Sequence, residues 1–283
     1  MKKSLRMLLK KNSLTTLPGA FNPFTAKLIE ANGFKGVYLS GAGLANSFGL
    51  TDTGIIGLKE FIETGSRIVK SINIPLLTDA DTGFENIEET VKAYIQSGVS
   101  GLHIEDQVFP KRCGHLAGKE VVPKIEMVEK IKKAVAVRNA FDPEFLIIAR
   151  TDARGAQNIA EKKQLEECIV RGNSYLEAGA EMIFPEALRS KEEFMTYRKE
   201  VQCYLLANMT EFGKSPFLTS KEFEEMGFNM VIFPVTLFRY SAGFINKALE
   251  KLKIDGNQKE LVADMMTREE INNLLDYEPG FPG

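Results

Sequence analysis

The sequence is poor in several residue types that mark particular classes of protein. Its 283 residues include no tryptophan, two histidines and three cysteines. Three cysteines are too few and odd in number for a disulfide framework, and two histidines are too few for a typical zinc cluster. Glycine and proline occur 23 and 11 times without a biased tract. These counts exclude collagen-like and low-complexity disordered chains.

The sequence also has no large excess of one sign of charge and no long apolar run. There are 36 Lys and Arg residues against 38 Asp and Glu residues, so the net charge is −2. This balance argues against a nucleic-acid partner, and no run reaches the ~18 apolar residues of a membrane helix. The basic segment 1–14 has too short an apolar centre for a signal peptide and predicts an amphipathic helix. We therefore expect a cytoplasmic protein with reduced thiols, no nucleic acid and no membrane.

Short apolar runs alternate along the chain with longer amphipathic segments. The eight apolar runs, each of strand length, are residues 14–18, 36–41, 75–81, 101–107, 145–152, 182–186, 204–210 and 230–234. Most are rich in Val, Ile, Leu or Phe with little surface polarity, which is typical of parallel strands buried on both faces.

Helical patterns follow each of these runs. They cover residues 26–32, 58–71, 87–97, 125–139, 159–178, 192–201, 221–226 and 238–253. Eight β–α units predict an α/β fold of the TIM type, a (β/α)8 barrel, with an open doubly wound sheet as the alternative. We expect one domain over residues 1–283. Two further helical stretches, 258–266 and 268–275, lie within a C-terminal extension from about residue 254 to 283.

Polar residues cluster where six of the predicted strands end. The segments are Tyr38–Gly43, Asp79–Gly83, Glu105–Gln107, Arg150–Asp152, Glu186, and Asn208–Thr210. Active sites of (β/α)8 barrels lie at this edge, and buried carboxylates are costly unless they are paired or bind a metal. The pattern therefore predicts an active site at the carboxyl ends of the strands.

The carboxylates in these segments favour a hard divalent cation. Because side chains alternate along a strand, Asp79 and Asp81 point to one side, as do His103 and Glu105. Oxygen ligands without a histidine or thiolate cluster suit Mg²⁺ or Mn²⁺. His103 lies one layer deeper, and we expect it to be a hydrogen-bonded core residue rather than a ligand.

A polar loop, residues 108–123, follows the fourth predicted strand and is called the flap below. It contains Lys111-Arg112-Cys113-Gly114-His115. Neighbouring cations stabilise a thiolate, so Cys113 is a candidate for proton transfer, and glycines give the flap freedom to close. The alternative is a solvated basic loop with an incidental cysteine. Cys168 and Cys203 lie in helix and strand patterns, and we expect them to be packing residues.

The flap motif resembles the K-[KR]-C-G-H signature of the isocitrate lyase/phosphoenolpyruvate mutase superfamily. Similar blocks occur in the same order at residues 38–41, 77–83, 101–107, 149–153, 184–187 and 206–213. The resemblance covers roughly residues 5–275, and within the superfamily it is strongest to the 2-methylisocitrate lyases. Ala42 departs from the usual glycine at its position.

The resemblance implies a role for each of a set of residues. Asp81 would hold Mg²⁺ most directly, with Asp79, Glu105 and Asp52 acting through coordinated water. The implied substrate ligands are Ser40, Gly41, Ala42, Gly114, His115, Arg150, Glu186, Asn208 and Thr210. The implied catalytic group comprises Cys113 as general acid, Tyr38 as candidate base, and Lys111, His115 and Glu186.

The implied activity is Mg²⁺-dependent cleavage of a carbon–carbon bond in a small di- or tricarboxylate. Isocitrate lyases carry tryptophan where this chain has Phe184, and the smaller ring favours a substrate with an extra methyl group, 2-methylisocitrate. Related activities on isocitrate, 2,3-dimethylmalate or oxaloacetate, and carboxyphosphoenolpyruvate mutase activity, stay open, as does a non-catalytic carboxylate-binding barrel. The resemblance also implies a homotetramer whose C-terminal helices exchange between subunits.

Overall fold

Eight parallel strands form a closed barrel in the computed structural model, which describes residues 4–10, 13–112, 114–115 and 118–277. The strands are β1 (Thr15–Ala20), β2 (Val37–Leu39), β3 (Leu76–Asp79), β4 (Gly101–Glu105), β5 (Leu146–Thr151), β6 (Met182–Pro185), β7 (Tyr204–Asn208) and β8 (Met230–Phe233). Each strand pairs with the next, and β8 pairs with β1 through the register Thr15 to Met230. The predicted (β/α)8 fold is thus confirmed, and the doubly wound alternative is excluded.

Helices surround the barrel. They are α1 (Leu5–Leu9), α2 (Pro23–Ala31), α3 (Gly41–Ser47), α4 (Leu58–Ser71), α5 (Ile87–Ser97), α6 (Lys124–Phe141), α7 (Gln164–Glu177), α8 (Lys191–Glu200), α9 (Ser220–Glu225), α10 (Thr236–Asp255) and α11 (Arg268–Leu274). Short 3₁₀ segments occur at Glu161–Lys163 and Lys259–Asp264. The predicted helix over 159–178 therefore begins with a 3₁₀ turn, and that over 258–266 is a 3₁₀ segment.

Two apolar layers stabilise the barrel. One fills its interior and includes Leu17, Leu77, Ile148 and Met182; the other lies between the strands and the outer helices. Leu5 of α1 is fully buried in the interior layer. The predicted N-terminal helix is therefore present and covers part of the barrel interior, which leaves the opposite end for the polar residues.

The β2–α3 junction shows how local sequence shapes the site. The predicted strand over 36–41 ends early because the Ser40 side chain caps α3, accepting a hydrogen bond from the Gly43 amide. A serine oxygen in this position satisfies an otherwise unpaired amide of the first helical turn. The sequence analysis did not predict α3. Its N-terminus brings the Gly41 amide to the carboxyl end of the barrel.

The C-terminal extension packs differently from the barrel. No residue of the 20-residue helix α10 is buried. Beyond it, Lys27 of α2 donates to the Leu274 carbonyl and pairs with Asp276. Exchange of these helices between subunits stays a prediction, as does the one-domain organisation. Among the described residues, no helix has the length and apolarity needed to cross a bilayer.

Candidate active site

A cavity at the carboxyl ends of the strands brings together most of the predicted site residues. The predicted residues that line it are Tyr38, Ser40, Ala42, Asp52, Asp79, Lys111, Gly114, His115, Arg150, Glu186, Asn208 and Thr210. Asp81, Glu105 and Gly41 are in contact with members of this set. Cys113, the predicted general acid, lies outside the described residues.

The Lys111 ammonium lies between two carboxylates at one side of the cavity. Its Nζ is 2.6 Å from Asp52 Oδ1 and 2.8 Å from Asp81 Oδ1. Burial alone would lower the pKa of Lys111, but Asp81, Glu105 and Asp52 outweigh it and raise the pKa well above its usual value. Lys111 is therefore a fixed positive charge that links the flap to these carboxylates.

A strained turn holds Asp81 beside Asp79. Asp81 has φ = 44°, in the left-handed region that few residues other than glycine adopt. Asp79 Oδ1 accepts from the Asp81 amide at 2.9 Å, and Asp79 Oδ2 accepts from the Gly41 amide at 3.1 Å. The Tyr94 hydroxyl donates to the Asp79 carbonyl at 2.8 Å. Backbone strain of this kind persists where surrounding contacts enforce it, and it is concentrated at functional sites.

The donor set fits a hydrated divalent cation. Glu105 Oε1 is buried without a hydrogen-bond partner in the described parts of the chain, and the partner of Asp81 Oδ1 is the Lys111 ammonium at 2.8 Å. Within those parts, no three Asp, Glu, His or Cys side chains converge closely enough to bind an ion directly. Mg²⁺ normally keeps several waters and binds one or two carboxylates. One direct carboxylate with others acting through water matches this arrangement.

Burial raises the proton affinity of two of these carboxylates. It raises the pKa of Asp81 to about 6, although Lys111 opposes the change. Burial also raises the pKa of Glu105 well above its usual value, against the opposing charge of Arg150. A cation that replaces these protons would recover part of the cost of burying two acids.

The opposite side of the cavity is built around Glu186. Its Oε1 lies 2.7 Å from His115 Nε2, and the Asn208 amide donates to it. Burial alone would raise the pKa of Glu186, but Arg150 and His115 outweigh it and lower the pKa. The Lys214 backbone amide donates to His115 Nδ1 at 3.0 Å. His115 is thus held at both ring nitrogens, by Glu186 and by the Lys214 amide.

Arg150 lies between the two sides. Its guanidinium makes two hydrogen bonds to Asp152, at 2.8 and 3.1 Å, and its nearest distances to Glu105 and Glu186 are 3.3 and 3.5 Å. The guanidinium also stacks 5.1 Å from the centre of the Phe184 ring. An arginine held in this fixed orientation can bind a carboxylate with two parallel hydrogen bonds.

Tyr38 and His103 form a buried pair beneath the cavity. The Tyr38 hydroxyl is 2.7 Å from His103 Nε2, and Asp79 Oδ1 is 3.7 Å from the same nitrogen. Burial raises the pKa of Tyr38 well above its usual value and lowers that of His103 to about 4. The phenol is therefore protonated and the imidazole neutral at physiological pH. His103 is a hydrogen-bonded core residue, as the sequence analysis expected.

Lys119 and Arg239 of this region were not predicted, and Asp152 was predicted among the polar residues at the strand ends but without a role. Asp152 holds Arg150, Lys119 holds Asp152, and Arg239 lines the cavity while donating to Thr210 and Glu211. Because side chains alternate along a strand, Arg150 and Asp152 point to the same face, and this spacing could have identified Asp152 as the partner of Arg150. Lys119 is one of two lysines in a polar loop, and Arg239 lies inside a helix pattern. No feature of the sequence distinguishes either one.

Comparisons with known proteins show which family the chain matches. The sequence matches the family described as phosphoenolpyruvate phosphomutase over residues 5–253. A 2-methylisocitrate lyase of Aeropyrum pernix is 43% identical over 276 residues, which are 96% of this chain and 86% of that protein. Other relatives that are 38–42% identical have the same name.

Solved structures extend the comparison. A crystal structure of 2,3-dimethylmalate lyase superposes with a TM-score of 0.87 at 33% identity, covering 95% of this chain and 89% of that one. A phosphonopyruvate hydrolase in complex with oxalate and Mg²⁺ gives 0.85 at 30% identity, covering 96% and 93%. With the barrel and the matched family, these findings show that the chain belongs to the phosphoenolpyruvate mutase/isocitrate lyase superfamily.

Proposed function

We propose that the protein is a Mg²⁺-dependent carbon–carbon lyase that cleaves 2-methylisocitrate to pyruvate and succinate. Relatives of about 40% identity over nearly the whole chain are named for this activity. The observation that carries the proposal is the division of the cavity into two halves. One half has Asp52, Asp79 and Asp81 beside Lys111, the other has Glu186, His115 and Asn208, and Arg150 lies between them.

The acidic half is the proposed cation site. Asp81 would be the direct ligand, with Asp52, Asp79 and Glu105 acting through water, and Mn²⁺ is the alternative ion. A bound divalent ion would polarise the forming keto group and neutralise the adjacent carboxylate. Ser40, Gly41 and Ala42 would bind the same part of the substrate. The Gly41 amide already donates to Asp79, so binding of the metal and binding of the substrate would be coupled through α3.

The other half is the proposed site for the succinate part. Arg150 would pair with a substrate carboxylate, and Gly114, His115, Glu186, Asn208 and Thr210 would complete the contacts. We add Arg239 as a second cation at the cavity wall, because it already donates to Thr210 at 3.2 Å. Fixed donors directed at developing negative charge are the usual source of rate enhancement in such reactions.

Bond cleavage requires a base and an acid. Loss of the substrate hydroxyl proton allows the carbon–carbon bond to break, and the bonding electrons pass to the succinate carbon as an enediolate. The Cys113 thiol then delivers a proton to that carbon. Because Tyr38 is protonated, it can accept the hydroxyl proton only if its own proton passes to His103, 2.7 Å away. Closure of the flap would exclude competing water.

A panel of substrates tests the proposal. Purified protein is assayed with 2-methylisocitrate, isocitrate, 2,3-dimethylmalate, oxaloacetate and carboxyphosphoenolpyruvate, each with Mg²⁺ and with EDTA. We expect the highest kcat/KM with 2-methylisocitrate and its loss in EDTA. A methyl group discriminates by about 1–3 kcal/mol, so isocitrate should be a slower substrate. No metal-dependent cleavage of 2-methylisocitrate would refute the assignment.

We also propose a cytoplasmic homotetramer. The large apolar side chains of α10 are exposed, Phe244 by 43%, Ile245 by 59% and Leu249 by 59%. An apolar groove between β1, α2 and the start of α10 is lined by Pro18, Phe21, Leu28, Phe34, Phe233 and Tyr240. Contiguous apolar patches of this kind mark protein–protein contacts. We expect the α10 helices of neighbouring subunits to cover these surfaces.

A further inference from the structure

Lys119 is a buried lysine at the end of the flap. Its side chain has no solvent exposure, and its Nζ lies 2.9 Å from Asp152 Oδ1. Its backbone carbonyl accepts from the Gln157 amide at 2.8 Å. A buried ammonium is costly unless it is paired, so this residue is not a solvated loop lysine. Lys119 thus attaches the flap to the segment that follows β5 through an ion pair and a backbone hydrogen bond.

Asp152 is shared between Lys119 and Arg150. Its Oδ1 accepts from Lys119 and from Arg150 Nη2, and its Oδ2 accepts from Arg150 Nε. The Asp152 amide donates to Asp106 Oδ1 at 2.8 Å, and Arg171 and Tyr175 hold the other oxygen of Asp106. Asp152 is therefore held in place by Asp106 and cannot follow a movement of Lys119 or Arg150.

This sharing determines how much of the Arg150 charge is available to a ligand. Arg150 already faces three carboxylates, on Asp152, Glu105 and Glu186. If Asp152 had no second cation, its whole negative charge would act on the guanidinium. Lys119 neutralises part of the Asp152 charge, so the Arg150 guanidinium attracts an incoming carboxylate more strongly.

Gly114, in the flap motif, also lies against Asp152 and Arg150. A Cβ atom added at Gly114 would lie 2.9 Å from Asp152 Oδ1 and 2.6 Å from Glu186 Cγ. Gly114 and Lys119 of the flap therefore both lie close to Asp152, the carboxylate that also holds Arg150.

We propose that Lys119 is a positioning residue that, through Asp152, sets the orientation and available charge of Arg150 and so strengthens carboxylate binding at Arg150. The proposal rests on the proposed function to the extent that Arg150 binds a substrate carboxylate. A lysine that only braced the fold would affect stability without affecting ligand affinity. The two roles therefore predict different measurements.

Three substitutions separate them. Lys119→Met removes the charge at similar volume, Lys119→Gln removes it but keeps a donor, and Lys119→Arg keeps the charge. Lys191→Met is the matched control, since Lys191 also pairs with a carboxylate of another helix, Glu222 at 3.0 Å, but lies outside the cavity. The readouts are kcat and KM for 2-methylisocitrate and the Kd for oxalate by calorimetry with Mg²⁺.

We expect Lys119→Met and Lys119→Gln to raise KM and the oxalate Kd at least tenfold while kcat changes less. Lys119→Arg should stay within about threefold of the parent, and Lys191→Met should change neither value. If Lys119→Met does not fold, the KM and oxalate Kd of Lys119→Gln test the inference. Unchanged KM and Kd in a folded neutral variant would overturn the inference. Absence of turnover in the parent protein would instead refute the proposed function, and the oxalate titration would still test Lys119.

Discussion

Gly114 lies directly against the guanidinium of Arg150. A Cβ atom at residue 114 would approach Arg150 Nη2 more closely than any carbon can, with Glu186 Cγ and Asp152 Oδ1 next at 2.6 and 2.9 Å. All three neighbours belong to one buried ion-pair network, so none can move without breaking charged hydrogen bonds. Residue 114 must therefore be a glycine, because its backbone lies too close to this network for a side chain to fit.

Gly114→Ala should abolish most activity without unfolding the barrel. The flap can relieve the clash by staying away from Arg150, so we expect kcat/KM to fall at least 100-fold. The thermal midpoint should move by no more than about 2–4 °C, equivalent to about 1 kcal/mol. Gly43→Ala is the matched control, because a Cβ there meets its neighbours at 3.5 Å or more. Comparable losses in both variants would contradict the role given to Gly114.

Metal binding should weaken as the pH falls below about 6. Burial raises the pKa of Asp81 to about that value, and a protonated carboxyl does not bind a cation. Titration of Mn²⁺ by electron paramagnetic resonance should show the apparent Kd rising up to tenfold per pH unit below 6. A Kd that stays constant between pH 5 and 7 would remove Asp81 from the cation site.

The same carboxyl should make the metal-free protein less stable as the pH rises. The pKa of Asp81 is about 6 in the folded state and about 3.9 unfolded, so between these values the folded state binds more protons. The contribution of Asp81 to the free energy of unfolding is thus greatest below pH 4 and is lost by pH 6, a change of about 3 kcal/mol. Urea unfolding at pH 4, 5 and 6 should show a steeper slope for the parent than for Asp81→Asn, because Glu105 contributes a slope of the same sign in both proteins.

The sequence predicted the barrel well because its signals are local. Each predicted apolar run overlaps an observed strand, and the helix predicted over 87–97 is α5 (Ile87–Ser97). There the polar cap of Asn86 and the left-handed Gly98, φ = 87°, mark both ends of the helix. Helix α3 was missed because its short stretch of small residues has little apolar periodicity.

The polar residues at the strand ends were predicted, but their partners were not. Pairs such as Lys119 with Asp152 and Lys111 with Asp52 join residues 33 and 59 positions apart in the chain. Such pairs form only after the barrel has closed, and a single sequence gives no signal for them. The left-handed conformation of Asp81 also follows from contacts with the surrounding structure rather than from its residue type.

Thiol labelling should distinguish Cys113 from the other two cysteines. Cys168 is fully buried, and burial raises the pKa of the half-buried Cys203 to about 11. Only the thiolate reacts, so both should be inert to iodoacetamide at pH 7.5. Cys113 lies outside the described residues, but its basic neighbours predict a reactive thiol. We expect mass spectrometry to find modification at Cys113 alone, slowed by oxalate with Mg²⁺, whereas equal labelling of Cys203 would contradict this.

A charge on the apolar face of α10 should break the assembly. Ile245 and Leu249 are each 59% exposed on a helix with no buried residue, an arrangement unfavourable for an isolated subunit in water. Ile245→Glu and Leu249→Glu should convert the proposed homotetramer into smaller species by light scattering, because burying an unpaired carboxylate costs several kcal/mol. Asn246→Glu adds the same charge at a polar position and should leave the mass unchanged. A parent protein that is monomeric at all concentrations would refute the proposed exchange of helices.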